Sequence, residues 1–86
     1  MDLDGAVRAL RAAEAGVPRA ERRAEQRARE IRAAARAKVD RAREQLHAAI
    51  VAEYAAGARQ VDLARRTGYA RETIRRILRA GGIEPD

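Results

Sequence analysis

Apolar residues recur at helical intervals along most of the chain. Leu3, Val7 and Leu10 are four and three apart, one stripe on a helix over 2–15. Ala20, Ala24, Ala28, Ile31, Ala35, Val39, Ala42, Leu46 and Ile50 repeat the steps 4, 4, 3, an 11-residue period close to that of a straight helix. Between the two stripes stand Gly16, which fits the left-handed position just past a helix end, and Pro18, which cannot continue a helix but can open one. Asp2 or Asp4 can cap the first helix. From Arg19 to Ala56 no Gly or Pro intervenes, so one helix of roughly 57 Å is expected at 1.5 Å per residue, ended by Gly57. Two short helices follow near 60–67 and 70–80. Gly81-Gly82 stops the second, and Glu84-Pro85-Asp86 is a frayed tail. The expected fold is all-α: a short N-terminal helix, a long central helix and a C-terminal tri-helical unit. The divisions are an arm over 1–42, the three-helix unit over 43–83 (helices near 43–56, 60–67 and 70–80), and a tail over 84–86.

The stripe on the long helix needs a cover. The short Gly-Val-Pro link favours an antiparallel hairpin, with Leu3, Val7, Leu10 and Val17 over Ala24, Ala28, Ile31 and Ala35. The alternative is a second copy of the chain, a homodimer through the long helix, because so long a helix with so small a core is hard to justify in a monomer. Charge pairs support the helix unevenly. Glu25–Arg29 and Asp40–Arg43 are favourable, whereas Glu21–Glu25 and Asp40–Glu44 repel.

Composition sharpens this picture. Hydrophobic residues make up 47% of the 86, but most are Ala; Phe, Trp and Cys are absent, and Tyr54 and Tyr69 are the aromatics. Little area per residue can be buried, so local helix propensity or a partner must contribute. No apolar run approaches the ~20 residues of a membrane span, and the N-terminus has no signal-peptide pattern. Without cysteine there is no disulfide framework or thiolate zinc site. A cytoplasmic, nucleoid-associated protein is expected, with no membrane partner. The net charge is +6 and the pI about 11.1, which suits a polyanionic partner. An Arg and Ala excess is also what a GC-rich genome writes, so distribution weighs more. Between Gly57 and Gly82 stand Arg59, Arg65, Arg66, Arg71, Arg75, Arg76 and Arg79 against Asp62 and Glu72, a surplus of five. His47 is expected to be an exposed helix residue. No Ser/His/Asp set, phosphate loop or isolated carboxylate pair supports an enzyme, and neither metal nor cofactor is expected.

The stretch Gln60 to Leu78, QVDLARRTGYARETIRRIL, holds the most specific pattern. Two short helices that cross steeply need a small residue where they touch, a residue tolerant of positive φ in the turn, and an apolar residue facing back. Ala64, Gly68 and Ile74 stand at those offsets. Leu63, Tyr69, Ile77 and Leu78, with Leu46, Ile50 and Tyr54, complete the expected core. The two tyrosines are expected to be core residues with wet hydroxyls.

With Gln60, Leu63-Ala64, Gly68-Tyr69, Thr73-Ile74 and Arg76 in place, the stretch resembles the helix-turn-helix of small homeodomain-like bacterial DNA-binding domains. It is similar to the C-terminal domains of resolvase/invertase recombinases and to short regulators of actinobacteria and their phages. The resemblance covers about residues 45–80 and includes no recombinase catalytic region. Arg59 and Ala70 depart from it, since Ser or Thr usually caps the helices there; each loss costs about 1 kcal/mol.

The resemblance implies that helix 70–80 reads the DNA major groove, as in a small transcriptional regulator of double-stranded DNA. Arg71, Glu72 and Arg75 are then the expected base contacts, since Arg grips guanine O6/N7 and Glu accepts from cytosine N4. Arg59, Arg66, Thr73, Arg76 and Arg79 are the expected phosphate contacts. Blander readings are a solvated, self-paired helix face and a helical adaptor or oligomerisation module for a protein partner. A lipid-surface helix fits poorly with an Ala face.

Overall fold

Ala, Arg, Glu and Gln dominate the sequence as far as residue 56, and they are strong helix formers. In the computed structural model, which describes residues 2–85, they form one helix, α1, Leu3–Ala55. Asp2 caps it: its Oδ1 accepts a 2.8 Å bond from the Gly5 N–H.

The expected break at Gly16-Val17-Pro18 does not occur. Pro18 lies inside α1, and Gly16 is not among the glycines with positive φ. An interior proline costs a helix about 3 kcal/mol. Breaking the helix there would gain only Leu3, Val7, Leu10 and Val17 laid on a mostly Ala face. The flanking residues favour helix strongly enough to carry it through. The separate N-terminal helix and the hairpin of residues 1–42 are thus replaced by uninterrupted helix.

The chain divides into two compact units, residues 1–37 and 38–86. In the first, α1 is the one described element, and Leu3, Leu10, Val17 and Ile31 are each more than half exposed. The second holds the end of α1 together with α2, Gln60–Thr67, and α3, Arg71–Ala80.

Polar backbone groups in the second unit are satisfied turn by turn. Gly57, at φ 111°, lets the chain leave α1, and the Ala58 N–H returns to the Glu53 carbonyl at 3.0 Å. Arg59 and Ala70 are extended and give α2 and α3 no side-chain cap, so both helices start on backbone bonds. Gly68, at φ 78°, closes α2 with its N–H on the Ala64 carbonyl at 2.9 Å. The Thr67 hydroxyl donates to the Leu63 carbonyl at 2.8 Å and accepts from the Tyr69 N–H at 3.1 Å, fixing the turn from both sides. At the far end of α3, a Cβ on Gly81 would lie 2.6 Å from Val51 Cγ2, so only glycine lets the helix end approach α1 this closely.

The core is Ile50, Leu63, Ile74, Ile77 and Leu78, with Val51, Tyr54, Ala58, Ala64, Tyr69 and Ile83 packed against it. Leu46, expected inside, is 36% exposed at its edge. Two further expectations are corrected. His47 is half-buried, edge-on to Tyr69 with ring centroids 6.4 Å apart. The tail is not frayed over its described part. The Ile83 N–H bonds the Leu78 carbonyl at 2.9 Å and Pro85 is buried, because Gly82 at φ 83° turns the chain back on the core; Asp86 lies outside the described residues.

Candidate nucleic-acid interface

α3 is two-faced by simple periodicity. At 100° per residue Ile74, Ile77 and Leu78 share one side, and all three are buried. Glu72, Arg76 and Arg79 fall opposite and are exposed. Arg71 and Arg75 fall on the Leu78 margin, where Arg71 is exposed and Arg75 half-buried; Thr73 is half-buried on the Ile77 margin. Ala64 of α2 packs against the core cluster to which Ile74 of α3 belongs.

The arginines divide into two sets by what already holds them. Arg59 pairs with Asp62 at 3.1 Å, Arg66 with Glu53 at 3.1 Å and Arg79 with Glu84 at 3.8 Å. Arg65 shares Asp62 at 2.6 Å. These guanidiniums are each 46% or more exposed, and pairs of that kind contribute ~0–1 kcal/mol. They fix rotamers more than they add stability, and an incoming anion has to displace a carboxylate.

Arg71, Arg75 and Arg76 form no ion pair with any described residue. Arg75 is the unusual one: its Nε is buried and has no hydrogen-bond partner among the described residues. A buried donor left unmade costs roughly 1–3 kcal/mol, and the rest of the guanidinium fork stays available to an outside acceptor.

Arg59 and Arg71 are brought together with Tyr54 and Gln60 on one open cleft. Arg66 lies in a different hollow, with Leu46, Glu53 and Thr67. Arg59 and Arg66 thus line different hollows. Sequence reasoning overlooked Glu53, which neutralises Arg66 across 13 positions, and Thr67, whose place just before a turn glycine was a readable signal. Among the described residues no cluster of His, Cys, Asp and Glu could hold a metal ion, and no helix is long and apolar enough to cross a membrane. In comparisons with known proteins, no family model, curated protein or solved structure matches the chain.

Proposed function

We propose that the second unit binds double-stranded DNA sequence-specifically, with α3 in the major groove, as a small transcriptional regulator does. The observation that carries this reading is the pairing of the Ala64, Gly68 and Ile74 offsets with an α3 on which Arg76 on the outer face and Arg71 and Arg75 on its margin form no ion pair with any described residue. A helix held from behind by Ile74, Ile77 and Leu78 presents its remaining sides to a groove without losing its own packing. Arg71, Glu72 and Arg75 act on base edges, Arg75 through the part of its guanidinium beyond the buried Nε. Arg76 and Arg79 hold phosphates, with Arg59, Arg66 and Thr73 more peripheral, and Arg59, Arg66 and Arg79 must first leave Asp62, Glu53 and Glu84.

Binding measured on selected and random duplexes at two salt concentrations tests the reading. Arg71→Ala or Arg75→Ala is expected to erase roughly 1–3 kcal/mol of base preference, whereas Arg79→Ala weakens all sequences alike and flattens the salt slope. Equal losses on both duplexes for all three variants contradict the roles given. A chain with no salt-dependent complex does not bind DNA at all, and the helical adaptor, favoured by the bare helix of the first unit, takes its place.

A further inference from the structure

The turn between α2 and α3 is held largely by one side chain. Gly68 takes φ 78°, and its N–H bonds the Ala64 carbonyl at 2.9 Å. A helix that ends on this single bond leaves the next N–H, that of Tyr69, in need of an acceptor. The Thr67 hydroxyl accepts it at 3.1 Å and donates in turn to the Leu63 carbonyl at 2.8 Å. One oxygen thus ties the last turn of α2 to the residue that leads into α3. Threonine suits the task, because its β-branched side chain has few χ1 states and its hydroxyl can donate and accept at once. Thr67 and Tyr69 are half-buried, so water replaces a bond lost here only in part.

The start of α3 depends on that tie. Ala70 is extended and exposed and gives α3 no side-chain cap. Arg71, Glu72 and Arg75 all lie in the first half of α3, whereas Ile77 and Leu78 bury the far half in the core. A displaced turn therefore moves these three side chains most. Base edges tolerate little displacement, because a hydrogen bond to them needs roughly 2.7–3.2 Å. Attraction to phosphates is more forgiving, since it extends over about 10 Å at 0.1 M salt. Misplacement should thus remove base preference before it removes affinity. We propose that Thr67 is a positioning residue for base reading, its hydroxyl setting the entry of α3 and thereby the selectivity of Arg71, Glu72 and Arg75. This role presupposes that α3 reads DNA; the geometry of the turn does not.

The turn can be examined first without DNA, in the full chain. Thr67→Val keeps the shape of the side chain and loses the hydroxyl. Its backbone amide resonances over residues 69–75 should shift and exchange faster with solvent, while those of Thr67→Ser should stay close to the unsubstituted chain. Ile83→Ala is the control, because it removes a side chain packed on the core beyond the other end of α3. It should lower the melting temperature and leave 69–75 in place. Binding to selected and random duplexes follows. Thr67→Val should lose about tenfold of the ratio between the two affinities, the change that about 1.4 kcal/mol produces, with affinity for the random duplex changed by about twofold or less. Thr67→Ser should recover most of the ratio, and Ile83→Ala should retain it. Sucrose in every sample favours the folded state of the weaker variants. Unmoved resonances or an unchanged ratio in Thr67→Val overturn the proposal. So do an equal loss in Ile83→Ala, no recovery in Thr67→Ser, or a Thr67→Val chain that does not fold, since each makes the hydroxyl a source of stability at most. Shifted resonances in Thr67→Val, with an unsubstituted chain that prefers no duplex, instead refute the DNA reading and the selectivity assigned through it.

Discussion

The two units of this chain form helix for different reasons. In residues 1–37 the helix rests on local terms: an Asp2 cap, i to i+4 pairs such as Glu25–Arg29 at 3.8 Å, and the propensity of Ala, Arg and Glu. In residues 38–86 two helices of 8 and 10 residues, too short to persist in water by themselves, exist because Ile50, Leu63, Ile74, Ile77 and Leu78 close over one another. Helix content therefore says little about stability here. One unit should lose structure gradually, residue by residue, and the other cooperatively.

Replacing one isoleucine in each unit probes that contrast most strongly. Ile74 is fully buried, so Ile74→Ala should destabilise the second unit by about 2–5 kcal/mol and abolish its cooperative thermal transition. Ile31 is 61% exposed, so Ile31→Ala should leave that transition in place. Equal shifts from both would erase the distinction. Pro18→Ala acts in the opposite sense. Removing an interior proline should stabilise the first unit's helix by up to ~3 kcal/mol, visible in helicity at raised temperature with the second unit's transition unmoved. Next comes Gly81→Ala. Its Cβ would strike Val51, and overpacking of this kind costs about 1–3 kcal/mol, read from the denaturation midpoint of the second unit. The smallest effect is expected of Glu53→Gln. It breaks an exposed pair worth less than ~1 kcal/mol, so folding should scarcely change, while freed Arg66 should strengthen binding to duplex DNA and steepen its salt dependence.

What the sequence made legible was the part governed by near-neighbour rules. Gly57 and Gly68 both take the left-handed conformation expected of them, α2 spans 60–67, and α3 begins one residue later than expected, because Ala70 stays extended. Ile50, Leu63, Ile74, Ile77 and Leu78 are buried as their spacing implied. Gly16-Val17-Pro18 misled because a stop signal operates only if the chain gains something by stopping, and an Ala face offers a returning helix little. Leu46 lies at the end of the stripe's overlap with α2 and α3, where periodicity does not tell covered from uncovered. The Arg66–Glu53 and Arg79–Glu84 pairs depend on tertiary placement, so a list of exposed arginines overstated how many were uncommitted. The packing of Ile83 and Pro85 depends on a single glycine, Gly82, whose turn direction no spacing rule specifies.

The placement of the tyrosines has a practical consequence. Tyr54 and Tyr69 are the only aromatic residues besides His47, and both sit against the core of the second unit. Intrinsic fluorescence of this protein therefore reports that unit alone, whereas ellipticity at 222 nm is dominated by α1, whose 53 residues outnumber those of α2 and α3 together. Melting curves recorded by the two signals should separate, because the two units melt separately and each signal follows a different one, so that a species with one unit melted and the other folded is populated between them.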